Sequence, residues 1–126
     1  MTSTSEITEF HVHVYFDAAT REKAATLREA LGARFAVQIG RWHDEPIGPH
    51  TRGSYQVKLG HDQLGAIVTW LMLNRDGLSI LVHPRTGDDV ADHAQYALWL
   101  GEPIALDIEV LRRYVERRES ETRRTA

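Results

Sequence analysis

Histidines are the residues of this chain whose types and spacing most clearly suggest chemistry. His11 and His13 lie two positions apart in FHVHVYF, residues 10–16, where apolar and polar side chains alternate. This alternation predicts a β-strand with two unlike faces, so both imidazoles leave one face about 6.6 Å apart along the strand. Two imidazoles at that spacing can ligate one metal ion, and a solvated polar face is the alternative reading.

A third histidine strengthens the metal interpretation. His83 ends LSILVH, residues 78–83, which predicts another strand. If that strand lies antiparallel beside the first, His83 neighbours His11 and His13. We therefore expect three histidines to converge at one corner of a sheet.

The remaining histidines are harder to place from sequence. His50 lies in a long loop, residues 41–52, and must either fold back over the sheet or come from a partner subunit. His93 lies in a predicted helix, where pointing into the site and packing are equally compatible with the pattern. His43 is expected to be solvated, and His61, at a predicted helix start, is expected at the surface.

Three further residues are predicted to bind substrate. Arg41 and Arg85 can pair with a substrate carboxylate, because guanidinium offers two parallel donors, and surface salt bridges are the alternative for both. Tyr15 shares a strand face with His11 and His13. No obvious carboxylate is expected beside the histidine corner.

Composition narrows the function classes. The chain has 126 residues, 42% apolar and 26% charged, a net charge of −3, seven histidines and no cysteine. It is long enough for one globular domain, and the charge balance argues against nucleic acid as a partner. The lack of cysteine excludes disulfides, thiolate zinc sites and cysteine nucleophiles. Imidazole without thiolate suits a catalytic transition-metal site or acid–base chemistry.

Motifs of several common classes are absent. The chain has no phosphate-binding glycine loop, no dinucleotide fingerprint, no HExxH zinc motif and no GxSxG elbow. Residues 1–9, MTSTSEITE, do not resemble a secretory leader, and no apolar run approaches the roughly 20 residues of a membrane span. We expect a cytoplasmic protein without a membrane partner.

The elements that position the histidines follow from periodicity and punctuation. Asp17 is a candidate helix cap, and a third helix is expected to begin at Asp88 or Asp89. The predicted elements are a strand at 10–16, a helix at 18–32, strands at 34–40 and 54–59, a helix at 62–74, a strand at 78–83, a helix from 88 or 89 to about 100, and an amphipathic segment at 107–114.

This order predicts an α+β fold of the ferredoxin-like β-α-β-β-α-β type with an extra C-terminal helix. Helices cover one face of a four-stranded antiparallel sheet, so the other face meets water or another subunit. We expect a flexible N-terminus at 1–8, a single domain at 9–114 and a charged tail at 115–126.

Several motifs together resemble the DOPA 4,5-dioxygenase family. They are FHVHVYF, GRWHDEPIGPH, SYQVKL, WLMLNRDGLSILVHPRTGDD, a following DH pair and ALWLGEPIALD, and they extend from Phe10 to about Leu111. The resemblance implies a homodimer that forms an α+β barrel. It also implies extradiol cleavage of a catechol by O₂, with DOPA as the substrate in fungal pigment formation.

The resemblance also implies site residues. The matching histidines are His11, His13, His50, His83 and His93. Our hypothesis makes His13 and His83 metal ligands, His11 a third ligand or a residue behind the ligands, and His50 a ligand or acid–base residue. Catalytic roles are expected for His50, His93 and His11. Fe(II) is the expected metal, with zinc or another divalent ion as the alternative, and the ligand shell is either all-histidine or two histidines with a carboxylate.

Two rival functions stay open at this point. One is a non-catalytic dimer that binds a metal or a small molecule, and the other is a cofactor-free aromatic monooxygenase on the same type of barrel. Tight binding of one redox-active metal per chain favours the dioxygenase, whereas metal-independent oxidation favours the monooxygenase.

Overall fold

Five antiparallel strands form one sheet, and four helices accompany it in the computed structural model, which describes residues 1–4 and 7–125. A 3₁₀ turn, His61–Gln63, leads into the second helix. In chain order the elements are β1 Glu9–Phe16, α1 Arg21–Arg34, β2 Gln38–Ile39, β3 Gly53–Gly60, α2 Leu64–Asn74, β4 Ile80–Pro84, α3 Asp89–His93, β5 Leu98–Leu100 and α4 Ile108–Thr125.

The sheet order β2-β3-β1-β4-β5 places β1 at the centre. The predicted antiparallel pairing of the fourth strand with the first is confirmed, with His11 directly opposite His83. On the other side of β1, His13 lies opposite Gln56 of β3. Because side chains directly opposite each other share a face, this register brings the three histidines of β1 and β4 together.

The apolar faces of the strands form the core. Val12 and Val14 of β1 are fully buried with Val57 of β3, and Leu31 of α1 and Ile67 of α2 are buried in the same cluster. Each strand contributes alternate residues to this cluster, as the period-2 pattern requires. The histidine side of the sheet is therefore the face that α1 and α2 leave uncovered.

That second face is nonetheless buried, so the solvated-face reading is wrong for these strands. His13 is 4% exposed, His83 1% and Tyr15 1%. A loop at residues 41–52 crosses the face and is fixed to the segment before α4, since the Asp107 N–H donates to the Pro49 carbonyl at 2.8 Å. His50 thus folds back over the sheet of its own chain.

The predicted third helix is too long by about two turns. α3 ends at His93, and the chain then turns and pairs as β5 with β4. Trp99, which falls within the range of the predicted helix, lies on β5 and stacks with Tyr15 at 5.8 Å between ring centroids. The apolar segment ALWL, residues 97–100, is compatible with either a helix or a strand. Pairing with the edge of β4 stabilises it as a strand.

Other boundaries differ at the element ends. The strand expected at 34–40 is reduced to Gln38–Ile39, because α1 continues to Arg34. Asp17 does not cap the helix itself but accepts hydrogen bonds from the N–H and hydroxyl of Thr20, the residue preceding α1. α4 runs through the expected boundary at residue 114 to Thr125.

The predicted terminal segments lie partly outside the described residues. Residues 5 and 6 of the expected flexible segment 1–8, and residue 126 of the expected tail, belong to that part. Within the described residues, no helix is both long enough and apolar enough to cross a membrane.

A close approach of β1 and β3 generates a stability prediction. Gly53 lies opposite Phe16, and an added Cβ would be 2.5 Å from the Phe16 ring, which is itself stacked on Trp42 at 4.2 Å. Gly53→Ala should therefore force the ring out of its place and lower the free energy of unfolding by about 1–3 kcal/mol in urea denaturation.

Gly65→Ala is the matched control. Gly65 lies in α2 with open space around the added Cβ, so its replacement should leave stability unchanged or raise it by up to about 1 kcal/mol. Equal effects of the two substitutions would contradict the packing argument.

Candidate metal centre

Five imidazoles form one continuous cluster on the second face of the sheet. β1 contributes His11 and His13, β4 contributes His83, the crossing loop contributes His50, and α3 contributes His93. Ring centroids of neighbouring members are 4.1 Å apart for His83 and His93 and 4.2 Å apart for His13 and His50. All five histidines matched by the family resemblance are therefore brought together.

The shortest contact in the cluster joins two ring nitrogens. Nε2 of His13 and Nε2 of His83 are 3.0 Å apart, and the rings are nearly parallel. Two nitrogens bound to one divalent ion at about 2.1 Å, at right angles, are separated by about 3 Å. The pair therefore already has a separation suited to two adjacent ligands of a single ion.

Backbone carbonyls fix the tautomers of two members. Nδ1–H of His83 donates to the Pro84 carbonyl at 2.9 Å, and Nδ1–H of His93 donates to the Asp89 carbonyl at 2.7 Å. A neutral imidazole has one N–H, so Nε2 of both rings carries a lone pair. Donation of the outer N–H to an oxygen is the usual arrangement of metal-binding histidines.

In two further histidines of the cluster, His11 and His50, one ring nitrogen contacts a side-chain oxygen. Nε2 of His11 is 3.0 Å from the Glu9 carboxylate, and Nδ1 of His50 is 2.7 Å from the buried Tyr15 hydroxyl. Burial raises the pKa of Tyr15, so its hydroxyl keeps its proton. Tyr15, predicted to bind substrate, thus uses its polar atom on His50.

The cluster offers two overlapping sets of three ligands. In each set the nitrogens lie within 4.8 Å of one another; one set is His11, His13 and His83, and the other is His13, His50 and His93. His13 belongs to both. The donor chemistry fits a divalent transition metal, because three neutral imidazoles leave coordination positions open.

Three members of the cluster, His13, His50 and His83, are held neutral by their surroundings. Burial, and then the charge of His93, lower the pKa of His50 to about 4 and the pKa of His83 to about 3. Burial also holds the pKa of His13 well below its ordinary 6.5. Near pH 7 these imidazoles therefore present lone pairs, which is the form that binds metal or accepts a proton.

A buried carboxylate couples the two elements that carry His83 and His93. Asp92 is fully buried and accepts hydrogen bonds from the N–H and hydroxyl of Thr86, in the turn between β4 and α3. Asp88 also accepts a hydrogen bond from the Ala91 N–H at the start of α3. The turn is thereby closed on the helix, which holds His93 over His83.

A cavity of about 300 Å³ opens onto the cluster. Its polar side includes His11, His13, His50 and His93, with Arg85. Its other wall consists of apolar and aromatic side chains of α4, namely Val110, Leu111 and Tyr114. The cavity thus combines a floor of imidazoles that could hold a metal ion, a cation and an apolar wall, as expected of a small-molecule site.

The other predicted residues are not all at this cavity. Arg85 lines it and lies 3.3 Å from Nε2 of His11, whereas Arg41 is exposed and does not line it. His43 is half-buried and lines a second cavity of about 240 Å³ on the other side of His50. His61 is exposed, as expected.

Sequence reasoning missed Glu9. The expectation that no carboxylate lies beside the histidine corner is wrong, because the Glu9 carboxylate contacts His11, Lys58 and Arg85. The signal was present in EFHVH: Glu9, His11 and His13 alternate and so share one strand face. The predicted strand began one residue too late to include it.

The chain is similar to proteins described as dioxygenases. The model of the Dopa 4,5-dioxygenase family matches residues 10–110. A DOPA 4,5-dioxygenase of Amanita muscaria is 37% identical over 82% of this chain and 50% of its own length. An uncharacterised 21.2 kDa protein of Botryotinia fuckeliana is 38% identical over 82% of this chain and 63% of its own.

A solved structure agrees with the fold described here. The crystal structure of a protein from Nostoc punctiforme, provisionally described as a dioxygenase, is 61% identical and superposes with a TM-score of 0.89. The superposition covers 90% of this chain and 99% of the Nostoc punctiforme chain. By contrast, this chain spans only 50% and 63% of the two fungal relatives.

The neutral buried cluster makes the metal-free protein sensitive to acid. His50 and His83 have folded-state pKa values of about 4 and about 3, below the unfolded value near 6.5, so the unfolded chain binds protons first as the pH falls. Stability is complete above pH 7 and is lost progressively from pH 6.5 downward. Urea denaturation of chelator-treated protein should show a loss of about 2 kcal/mol per histidine between pH 7 and 5.

Exposed His61 provides the control for this experiment. His61→Gln should keep the full dependence on pH, whereas His50→Gln should reduce it, because glutamine does not titrate. Equal unfolding free energies of the unsubstituted protein at pH 7 and 5 would rule out a buried neutral cluster.

Proposed function

The chain belongs to the Dopa 4,5-dioxygenase family, and on that premise we propose that it is an extradiol ring-cleavage dioxygenase acting on a catechol such as DOPA. The observation that carries the proposal is the cluster of five imidazoles, four of which line a cavity of about 300 Å³. This chain covers only 50% and 63% of its fungal relatives.

We assign the metal to His11, His13 and His83. These side chains stand on the paired central strands β1 and β4, which gives them the most rigid support in the cluster. The separation of 3.0 Å between the Nε2 atoms of His13 and His83 supports this choice. Fe(II), when bound, supplies open coordination positions and redox chemistry for a catechol and O₂.

His50 and His93 then remain as bases beside these ligands, with the His50 ring 4.2 Å from that of His13 and the His93 ring 4.1 Å from that of His83. Nδ1 of His93 is occupied by the Asp89 carbonyl, so its Nε2 accepts a proton from a catechol hydroxyl and later returns it. His50 is held at Nδ1 by Tyr15 and has the same capacity at Nε2 when Nδ1 keeps its proton. The low pKa of His50 keeps that ring ready to accept a proton at neutral pH.

The cavity walls orient the substrate. An aromatic ring is expected against Leu111 and Tyr114 of α4, where apolar contact excludes water from the reacting ring. Arg85 lies on the same cavity and offers a guanidinium to a carboxylate carried by the substrate side chain. Arg41 is exposed and away from these walls, so the carboxylate role is proposed for Arg85 alone.

Anaerobic loading with Fe(II), followed by L-DOPA and O₂, tests the activity. A yellow ring-cleavage product should form, and one metal ion should bind per chain. His83→Ala should lose both metal and product, because it removes a ligand. His93→Ala should keep the metal but lower kcat about 10²–10⁴-fold, as expected for loss of a general acid–base residue.

His61→Ala, on the exposed 3₁₀ turn, serves as the control and should behave like the unsubstituted protein. Failure to cleave any of a broad panel of catechols, despite bound Fe(II), would refute the dioxygenase and leave a non-catalytic metal-binding protein. Oxidation of an aromatic substrate after complete metal removal would instead favour a cofactor-free monooxygenase.

We also propose that the chain forms a homodimer with a ferredoxin-like subunit, as the family resemblance implies. All five histidines come from one chain, so dimerisation is not needed to complete the ligand set. Tyr96, just before the edge strand β5, is 51% exposed, and Leu98, the first residue of β5, is 48% exposed. Burial in a subunit interface would explain why these apolar side chains lie at the surface of one chain.

Light scattering coupled to gel filtration tests this proposal. The expected mass is twice the 14.3 kDa of one chain. Leu98→Glu should shift the protein toward monomer, whereas Leu73→Glu, at an even more exposed apolar position on α2, should not. A monomer at all concentrations would refute the dimer without affecting the assignment of the metal ligands.

A further inference from the structure

We propose that Glu9 is a positioning residue that fixes the tautomer of His11 and thereby presents its Nδ1 lone pair to a metal ion. Glu9 begins β1, two positions before His11 on the same face. Its carboxylate oxygen Oε2 is 3.0 Å from Nε2 of His11. The effect on metal binding rests on the proposed function, whereas the hydrogen bond between Glu9 and His11 is formed within the protein and does not depend on it.

The carboxylate is held in place by two cations. Oε1 of Glu9 is 3.2 Å from Nζ of Lys58, which lies directly opposite His11 on β3. Oε2 is 3.5 Å from the Arg85 guanidinium. The backbone N–H of Arg85 also donates to the backbone carbonyl of Glu9 at 3.0 Å. Both carboxylate oxygens are therefore engaged, which fixes the direction from which His11 is approached.

The chemistry of imidazole turns this contact into a choice of tautomer. A carboxylate only accepts hydrogen bonds, so Nε2 of His11 must carry the proton that lies between them. A neutral ring has one N–H, so Nδ1 is left with the lone pair. Arg85 NH1, 3.3 Å from the same Nε2, cannot donate to it in this tautomer and is instead paired with Glu9.

The effect on a bound ion follows from the electron density of the ring. A carboxylate behind an imidazole makes the ring a stronger base and keeps it correctly oriented, and removal of such a partner usually weakens metal binding about 10–100-fold. In the set His11, His13 and His83, the outer nitrogen of His83 already has a carbonyl partner. Glu9 provides the corresponding partner for His11, with a full negative charge.

The first experiment reads the tautomer without any metal. Long-range ¹H–¹⁵N spectra of labelled, chelator-treated protein distinguish a protonated ring nitrogen from a bare one, and His11→Gln assigns the signals. We expect Nε2–H in the unsubstituted protein and a mixture of tautomers in Glu9→Ala. Glu9→Gln keeps an acceptor oxygen and should keep Nε2–H.

The second experiment measures the affinity for Zn(II) by competition with a chromogenic chelator. Glu9→Ala should weaken binding about 10–100-fold, and Glu9→Gln should weaken it less, because it keeps the hydrogen bond and loses only the charge. Glu22→Gln removes one carboxylate from α1, on the other side of the sheet, and should leave the affinity unchanged.

The outcomes separate this inference from the proposed function. Unchanged Zn(II) affinity in Glu9→Ala, or Nδ1–H on His11 of the unsubstituted protein, overturns the role of Glu9 and leaves the metal site standing. Absence of Zn(II) and Fe(II) binding in the unsubstituted protein overturns the proposed function. In that case the tautomer comparison alone decides whether Glu9 positions His11.

Discussion

The antiparallel pairing of β1 with β4 is the constraint on which the rest of the site depends. It places His11 opposite His83 and sets His13, opposite Leu81, two residues further along the same face. A slip of one residue would turn both histidines of β1 into the apolar core and bring the neighbouring valines to the cavity. The valines that fill the core therefore also hold the imidazoles in register, so packing energy and site geometry depend on the same strand.

Burial of this face has two chemical effects that reinforce each other. It removes water from the imidazoles, which lowers the pKa of His13, His50 and His83, and it requires hydrogen-bond partners for the buried ring nitrogens. The carbonyls after His83 and before His93, the Tyr15 hydroxyl and the Glu9 carboxylate meet this requirement. These partners leave inward-facing lone pairs, so the same interactions that make the buried polar cluster tolerable prepare it for a cation.

Local periodicity predicted the parts of the site that stand on regular strands. His11, His13 and His83 follow from alternation and one assumed pairing, and that pairing is confirmed. His50 could not be placed, because its position depends on a loop fixed by distant contacts such as the Asp107–Pro49 hydrogen bond. The helix expected up to residue 100 was wrong because the free edge of β4, a long-range partner, stabilises residues 98–100 as a strand.

The apolar wall of the cavity has a consequence for how such a protein diversifies. Leu111 and Tyr114 come from α4, beyond residue 110, where the match to the family model ends. α4 packs on α3 and contributes no strand to the sheet, so its side chains can change without disturbing the register of the histidines. Under the proposed function, the histidines that would hold the metal and the Leu111 and Tyr114 side chains that would contact the substrate ring lie in separate stretches of the chain, so changes in the last helix would alter the ring size accepted without altering the metal ligands.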